Sequence, residues 1–416
     1  MLIHSASQLL TLAGDPQRGH ELGRLSIIPD GAVLIRDEHI VEIGTTSDLR
    51  ESYPDEPTLD ADGKVIMPGL VDPHTHAIWL GDRSGEFELR LQGKTYLEIL
   101  EAGGGIISTV RATRSGSLKD LFIETRPRLW SMFIHGTTTA EVKTGYGLRT
   151  AAELRMLQAL LSLDKEGPLE IVPTFLGAHA IPPEYHGRPE EYTELITDTM
   201  LPILCEWWKN QAPYHQLPFV DVFCETGAFN LEQSAAILGK AKQLEFPLKI
   251  HADEFDNLGG AKLAAELGAT SADHLVKTSL EDIRALAESD TVAVALPCTP
   301  FGLGEQQYTP AQEILDAGGL LAIATDLNPG TAWCESMQFA IALACRYMHL
   351  TPAQAIAAST INAAAAIARH DRIGSLEPGK QADLLILTEP KYQHLGYRFG
   401  TNLVQSVIKK GRIYTI

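Results

Sequence analysis

Cysteine is scarce in this chain and poorly arranged for crosslinking. The five residues at 205, 224, 298, 334 and 345 are odd in number, scattered, and form no CxxC pair. That excludes a disulfide framework and a cysteine zinc cluster, and implies buried thiols in a reducing, cytoplasmic setting. No stretch approaches the ~20 apolar residues that span a bilayer. The N-terminus has no charged n-region, and Asp15, Arg18 and His20 soon interrupt the segment after it, so no signal peptide is expected. Basic residues are outnumbered, 34 against 53 acidic ones, for a formal charge of −19. Nucleic acid and anionic lipid both reward clustered Lys and Arg, so neither is an expected partner. Internal repeats and low-complexity segments are also lacking.

What is present is ordinary globular composition, 44% hydrophobic and 21% charged, which excludes disorder and permits a large core. A chain of 416 residues exceeds the size at which single cores stop growing, so one large domain plus a smaller one is expected. Residues 1 to about 66 show short alternating segments such as Gly31–Arg36 and Ile40–Gly44, with Asp37–His39 as the reversal. The same antiparallel β character returns at Ala382–Leu387, Val404–Ile408 and Ile413–Tyr414. In the middle, short apolar runs alternate with amphipathic stretches such as Ala151–Leu163, Glu232–Leu244 and Gly259–Leu267. The runs number about eight, around 71–76, 137–143, 171–178, 219–225, 248–253, 270–275, 291–297 and 320–326. The expected fold class is α/β: a (β/α)8 TIM barrel over 67–376, with a small β-sandwich domain formed from both termini, 1–66 plus 377–416.

Barrel enzymes carry their working residues at the C-terminal ends of the strands. The first run ends Asp72-Pro73-His74-Thr75-His76, and side chains two apart in a strand share a face, so both histidines can ligate one metal. An HxH pair alone is weak evidence, since histidines also pack or sit at surfaces. The fifth run, however, ends His251-Ala252-Asp253-Glu254, the sixth Asp273-His274, and the eighth Thr325-Asp326. Core packing does not explain histidines at three strand ends and an Asp at a fourth, and a buried carboxylate needs a partner or a metal.

The order HxH, His, His, Asp on strands one, five, six and eight resembles the amidohydrolase superfamily. Many of its members bridge two metals with a carboxylated lysine on strand four. The matching run here, Phe219–Glu225, has no lysine, and Lys143 lies on the second run. The resemblance therefore implies a single metal ion held by His74, His76, His251 and Asp326. Nitrogen and oxygen donors suit zinc or iron, and spacing does not separate the two. Such an ion lowers the pKa of water so that hydroxide is available near neutral pH, and polarises the carbonyl under attack. Glu254 is a candidate to carry a proton to the leaving nitrogen, its plain alternative being an exposed loop carboxylate. His274 is a candidate to hold or deprotonate the attacking water, its alternative being a direct or outlying metal ligand.

A narrower resemblance covers most of the barrel. Asp72–His76, Gly81-Asp82-Arg83, Gly103–Ile106, Glu141–Leu148, Leu176–His179, His251–Phe255 and Thr325–Gly330 look like the imidazolonepropionase family. That implies ring opening of 4-imidazolone-5-propanoate to N-formimidoyl-L-glutamate in histidine breakdown. Arg83 would then offer the propanoate a bidentate fork, Tyr146 a hydroxyl at a Gly-Tyr-Gly turn, and His179 a bond to the ring. Asn328, Gly330 and Thr331 would bind carboxylate or ring, although Ser rather than Thr is associated with position 331. Each has a plain reading too: Arg83 pairing with Asp82 or Glu86, Tyr146 simply packing. The family is often dimeric, which implies a homodimer, but the sequence carries no interface signal of its own.

Two segments carry no catalytic reading. Ile373–Leu384, which recurs across the superfamily, reads as a structural turn into the small sheet, and Gly103–Gly105 lacks the lysine of a P-loop and reads as an active-site loop. The competing functions are a purine or pyrimidine deaminase using the same metal chemistry, and a non-catalytic scaffold. Arg83 with Tyr146 argues against the first, because a neutral base needs neither. The complete ligand set argues against the second.

Overall fold

All eight apolar runs of the middle become parallel strands, and the amphipathic stretches between them become helices. A computed structural model of the chain describes residues 1–94, 98 and 103–416. The barrel strands are β6 (Leu70–Asp72), β7 (Thr137–Lys143), β8 (Glu170–Ala178), β9 (Phe219–Cys224), β10 (Lys249–Ala252), β11 (Ser271–His274), β12 (Val292–Ala295) and β13 (Leu321–Ile323). They pair in sequential order, each parallel to the next. Just beyond β6 and β13, Thr75 bridges Leu327 in parallel, the His76 N–H donates to the Leu327 carbonyl at 2.8 Å, and the Asp326 N–H donates to the His74 carbonyl at 3.1 Å. First and eighth strands thus meet, and closure itself brings the HxH pair beside Asp326.

Local chemistry starts the helices where the pattern expects them. The helix Leu231–Gln243 begins at a reciprocal Asn230–Gln233 capping box, and Leu118–Ile134 begins at a Ser117–Asp120 box. Each box satisfies backbone N–H groups that an uncapped first turn leaves orphaned. The long interval between the first two barrel strands holds the described helices Ser84–Leu91, Ile106–Ser115 and Leu118–Ile134.

Both termini build the second sheet. Its strands are β1 (Leu2–Leu10), β2 (Ile27–Arg36), β3 (His39–Thr45), β4 (Thr58–Asp60), β5 (Val65–Pro68), β14 (Leu384–Leu387), β15 (Val404–Lys409) and β16 (Arg412–Thr415). The path runs β16-β15-β14-β5-β1-β2-β3, with β4 also on β1. Most pairs are antiparallel as the alternation implies, but β1 runs parallel to β4 and β5. Ile3, Leu9, Val33, Ile66, Leu384 and Ile408 form its own apolar cluster. Only Gly69 separates β5 from β6, so this sheet feeds directly into the strand that carries the HxH pair.

Candidate active site

Four ring and carboxylate atoms converge at the C-terminal end of the barrel. His251 Nε2 lies 3.2 Å from His76 Nε2, and Asp326 Oδ1 lies 3.5 Å from His74 Nε2 and 3.6 Å from His76 Nε2. These separations are the edges expected when nitrogen and oxygen donors each stand ~2.1 Å from one centre. All four residues are buried, and His74 Nε2 has no hydrogen-bond partner among the described residues. Burial above all holds the His74 and His76 imidazoles well below their ordinary pKa, and pushes the Asp326 carboxyl up to about 6. Neutral imidazoles with free lone pairs are the state a metal requires. The donor set therefore fits a divalent ion. A second, overlapping group joins His74 and His251 to His274, so His274 sits against the same centre.

Which ring nitrogen faces the centre is set from below. His74 Nδ1 donates to Asp273 Oδ2 at 2.6 Å, and His251 Nδ1 lies 3.0 Å from Asp221 Oδ2. A carboxylate on Nδ1 fixes the tautomer and leaves Nε2 as the ligand atom. Both carboxylates are fully buried and would be costly without countercharge. Lys143 supplies it, donating to Asp221 Oδ2 at 2.8 Å and Glu141 Oε1 at 2.7 Å, with Asp273 Oδ2 at 3.6 Å. Lys249 stands 3.7 Å from the same Asp273 oxygen and donates to the Pro73 carbonyl, one residue before His74. Burial opposes the Lys143 charge, yet the three carboxylates outweigh it and raise its pKa. None of Asp221, Asp273, Glu141 or Lys143 was expected to serve the site. Their signal was an ionisable residue at a buried position within a barrel strand.

Above this floor stand the expected proton carriers. His274 Nδ1 lies 3.7 Å from Glu254 Oε2, and both side chains are buried. Burial keeps the Glu254 carboxyl well above its usual range and the His274 imidazole well below its own. Glu254 is therefore no exposed loop carboxylate. His274 and Asp326 both hold left-handed backbone, φ 80° and 53°, which costs non-glycine residues about 1–2 kcal/mol and clusters at functional sites.

Tyr146 and His179 form the next wall. His179 stacks on His76, ring centroids 4.8 Å apart, and its Nδ1 lies 3.1 Å from the Gly145 carbonyl. Burial lowers its pKa to about 3, so the ring is neutral, donates from Nδ1 and leaves Nε2 as an acceptor. A Cβ at Gly145, where φ is +104°, would stand 2.8 Å from that Nδ1, so glycine is required there. Glu153 gathers the Gly145, Gly147 and Leu148 N–H groups at 2.6–3.0 Å and shapes the loop that carries Tyr146.

Arg83 faces the cavity and is also paired: its Nε donates to Glu86 Oε2 at 2.9 Å. Asp82, the other expected partner, instead accepts from the Ser84 N–H. The loop after Asp326 is held together by its own polar groups. Asn328 donates to the Asp326 carbonyl and Thr331 Oγ1 and accepts from the Gly330 and Thr331 N–H groups, all at 2.8–2.9 Å. Its amide is fully spent on building the loop.

These walls enclose about 760 Å³, with Arg83, Tyr146, His179, Glu254, Asn328, Gly330 and Thr331 all lining the space above the metal floor. Arg90, Glu225 and Glu305 line it too and were not singled out from the sequence. A larger cleft of about 970 Å³ opens at the N-terminal ends of the strands beside Glu170, Pro218 and Arg369. No metal-ligating cluster lies there among the described residues.

Comparison with known proteins agrees with this geometry. The amidohydrolase family model matches residues 225–414, and the imidazolonepropionase-like composite domain of bacteria matches 31–55. The imidazolonepropionase of Herpetosiphon aurantiacus is 52% identical, covering 99% of this chain and 96% of its own. That of Chloroflexus aggregans is 48% identical, covering 99% and 98%. Among solved structures, 5-methylcytosine deaminase from Klebsiella pneumoniae superposes with a TM-score of 0.74 at 17% identity, covering 99% and 97%. A mutant atrazine chlorohydrolase from Arthrobacter aurescens, complexed with zinc and atraton, gives 0.69 at 15%, covering 100% and 95%. At those identities the structures establish the barrel architecture alone.

Proposed function

The chain belongs to the imidazolonepropionase family, and from that premise we propose how its residues open the ring of 4-imidazolone-5-propanoate. It is a hydrolase of the cyclic amide: water adds to the ring carbonyl carbon, the carbonyl carbon–nitrogen bond breaks, and that nitrogen becomes the terminal N–H of the formimidoyl group. The observation that carries the residue assignment is one cavity with a metal-fitting floor of His74, His76, His251 and Asp326 and a cationic wall at Arg83.

In this reading the floor holds one zinc or iron ion per chain, whose Lewis acidity makes hydroxide available near neutral pH. Asp221 and Lys143 support a single ion, because strand four offers an aspartate where a bridging lysine would be needed and a buried ammonium already occupies its carboxylates. His274 orients the attacking water and accepts its proton. Glu254, 3.7 Å away, delivers a proton to the departing nitrogen. His179 and Tyr146 hold the ring by hydrogen bonds, and Arg83 binds the propanoate. Asn328, Gly330 and Thr331 act through the shape of their loop, since the Asn328 amide has no capacity left.

Elemental analysis of the purified protein tests the ion, with one equivalent per chain expected. Ultraviolet loss of freshly generated substrate tests the reaction; a folded, metal-replete protein that leaves the substrate intact while deaminating nucleobases would replace this reading with the deaminase one. We also place the enzyme in the cytoplasm, on five cysteines that are all free. No helix among the described residues is long and apolar enough to cross a membrane. Ile123 and Trp130, exposed on the helix Leu118–Ile134, favour assembly as a homodimer, and light scattering in solution decides it.

A further inference from the structure

The helix Ser84–Leu91 presents Arg83, Glu86 and Arg90 to the cavity, a spacing of three and four residues that aligns them on one face. The two arginines are not equivalent. Arg83 is clamped by Glu86, whose other oxygen accepts the Gly105 N–H at 3.0 Å and Ser108 Oγ at 3.1 Å. Arg90 has no carboxylate within ion-pair distance among the described residues. Its one strong bond is from Nη2 to the Gly330 carbonyl at 3.0 Å, which anchors the guanidinium to the loop after Asp326. Burial first, and then the neighbouring Arg83 cation, pull its pKa down against a weaker opposing pull from Glu86, whose carboxylate is bonded to Arg83. Glu225, Glu254 and Glu305 also line the cavity and would repel an anion, and the loop donors beside Arg90 are consumed by Asn328. A ligand with a carboxylate at one end of a neutral ring thus has one place for its negative end.

We propose that Arg90 is the second carboxylate-binding cation of this cavity and sets its preference for substrates carrying an anionic side chain. The inference rests on the reading of the cavity as the imidazolone site and adds to Arg83 a partner whose fork is still open. Arg83 then orients, being fixed by Glu86, while Arg90 supplies the uncompensated charge.

The test pairs kinetics with binding of inert ligands. Wild type, Arg90→Met and Arg90→Lys are compared for turnover of 4-imidazolone-5-propanoate, and for affinity toward imidazole-4-propanoate and its uncharged propanamide by calorimetry. Arg90 is partly exposed on a surface helix, so both variants should fold, which circular dichroism verifies. For Arg90→Met we expect KM to rise roughly 10–100-fold with kcat within about threefold, as for loss of one charge-assisted contact made equally in ground and transition states. The preference for propanoate over propanamide should collapse in that variant and return in part with lysine. Wild-type turnover with an unchanged carboxylate preference in Arg90→Met overturns the role of Arg90 alone. Wild type that neither turns over the substrate nor distinguishes the two analogues overturns the imidazolone reading, and this inference with it.

Discussion

Two side chains, Glu254 and His274, have no task in holding the fold that would account for both being buried within 3.7 Å of each other beside the metal floor. The proton relay proposed above would account for it. Glu254→Gln keeps size and hydrogen-bonding capacity but cannot donate or accept a proton, so kcat should fall about 10²–10⁴-fold with KM little changed. Steady-state kinetics on metal-replete protein check this; an unchanged kcat would remove Glu254 from the mechanism. Gly330 makes a contrasting prediction. A Cβ there would lie 2.4 Å from Arg83 Nη1, and Glu86 restrains that guanidinium from the other side. Gly330→Ala should therefore displace the substrate clamp and raise KM about tenfold while leaving kcat nearly intact, since its effect falls on binding. Equal loss in kcat would show that the loop also shapes the reacting end.

At the scale of the element, strand ends explain why so much of the site was legible. HxH on one strand, a histidine on each of two others and an Asp on the last declare themselves because inward-facing residues at the rim of a barrel have few structural uses. The floor beneath them was not legible, because its meaning lies in pairings across the chain. His74 meets Asp273 across 199 residues, and Lys143 meets Asp221 across 78. Asn328 carries a part the sequence did not reveal for a different reason: a turn-building asparagine and a ligand-binding one look identical in sequence until their hydrogen bonds are counted. The floor yields its own predictions. Asp273→Asn removes the acceptor that fixes the His74 tautomer and should weaken metal affinity about 10–100-fold, measured by chelator competition on the apo protein. Lys143→Met strands two buried carboxylates on β7 and β9 and should cost about 3–5 kcal/mol in chemical unfolding. Adding Glu141→Gln to it should recover part of that stability by removing one stranded charge.

Across the whole molecule, the terminal sheet and the barrel are joined by a buried ionic node far from the chemistry. Lys409 on β15 lies 2.7 Å from Asp383 Oδ2 and 3.2 Å from Glu170 Oε2, and Glu170 opens the barrel strand β8. Gln381 donates to both carboxylates, and the Gly69 N–H donates to the Asp383 carbonyl at the crossing into β6. The Ile373–Leu384 turn is thus structural, as its position suggested, with Gln381 and Asp383 at the join. Burial alone would raise the Glu170 pKa, but Lys409 and Arg372 outweigh it and hold the carboxyl at about 2. A depressed carboxylate pKa favours the folded state above the unfolded value of ~4.3, and that advantage is lost as pH falls toward the folded value. Glu170→Gln should therefore lower the unfolding midpoint at pH 7 by an amount that shrinks steadily between pH 5 and pH 3. Thermal denaturation across that range, with the two proteins compared at each pH, reads it directly. A constant gap would mean that Glu170 stabilises the join through its hydrogen bonds and packing, with its charge contributing nothing.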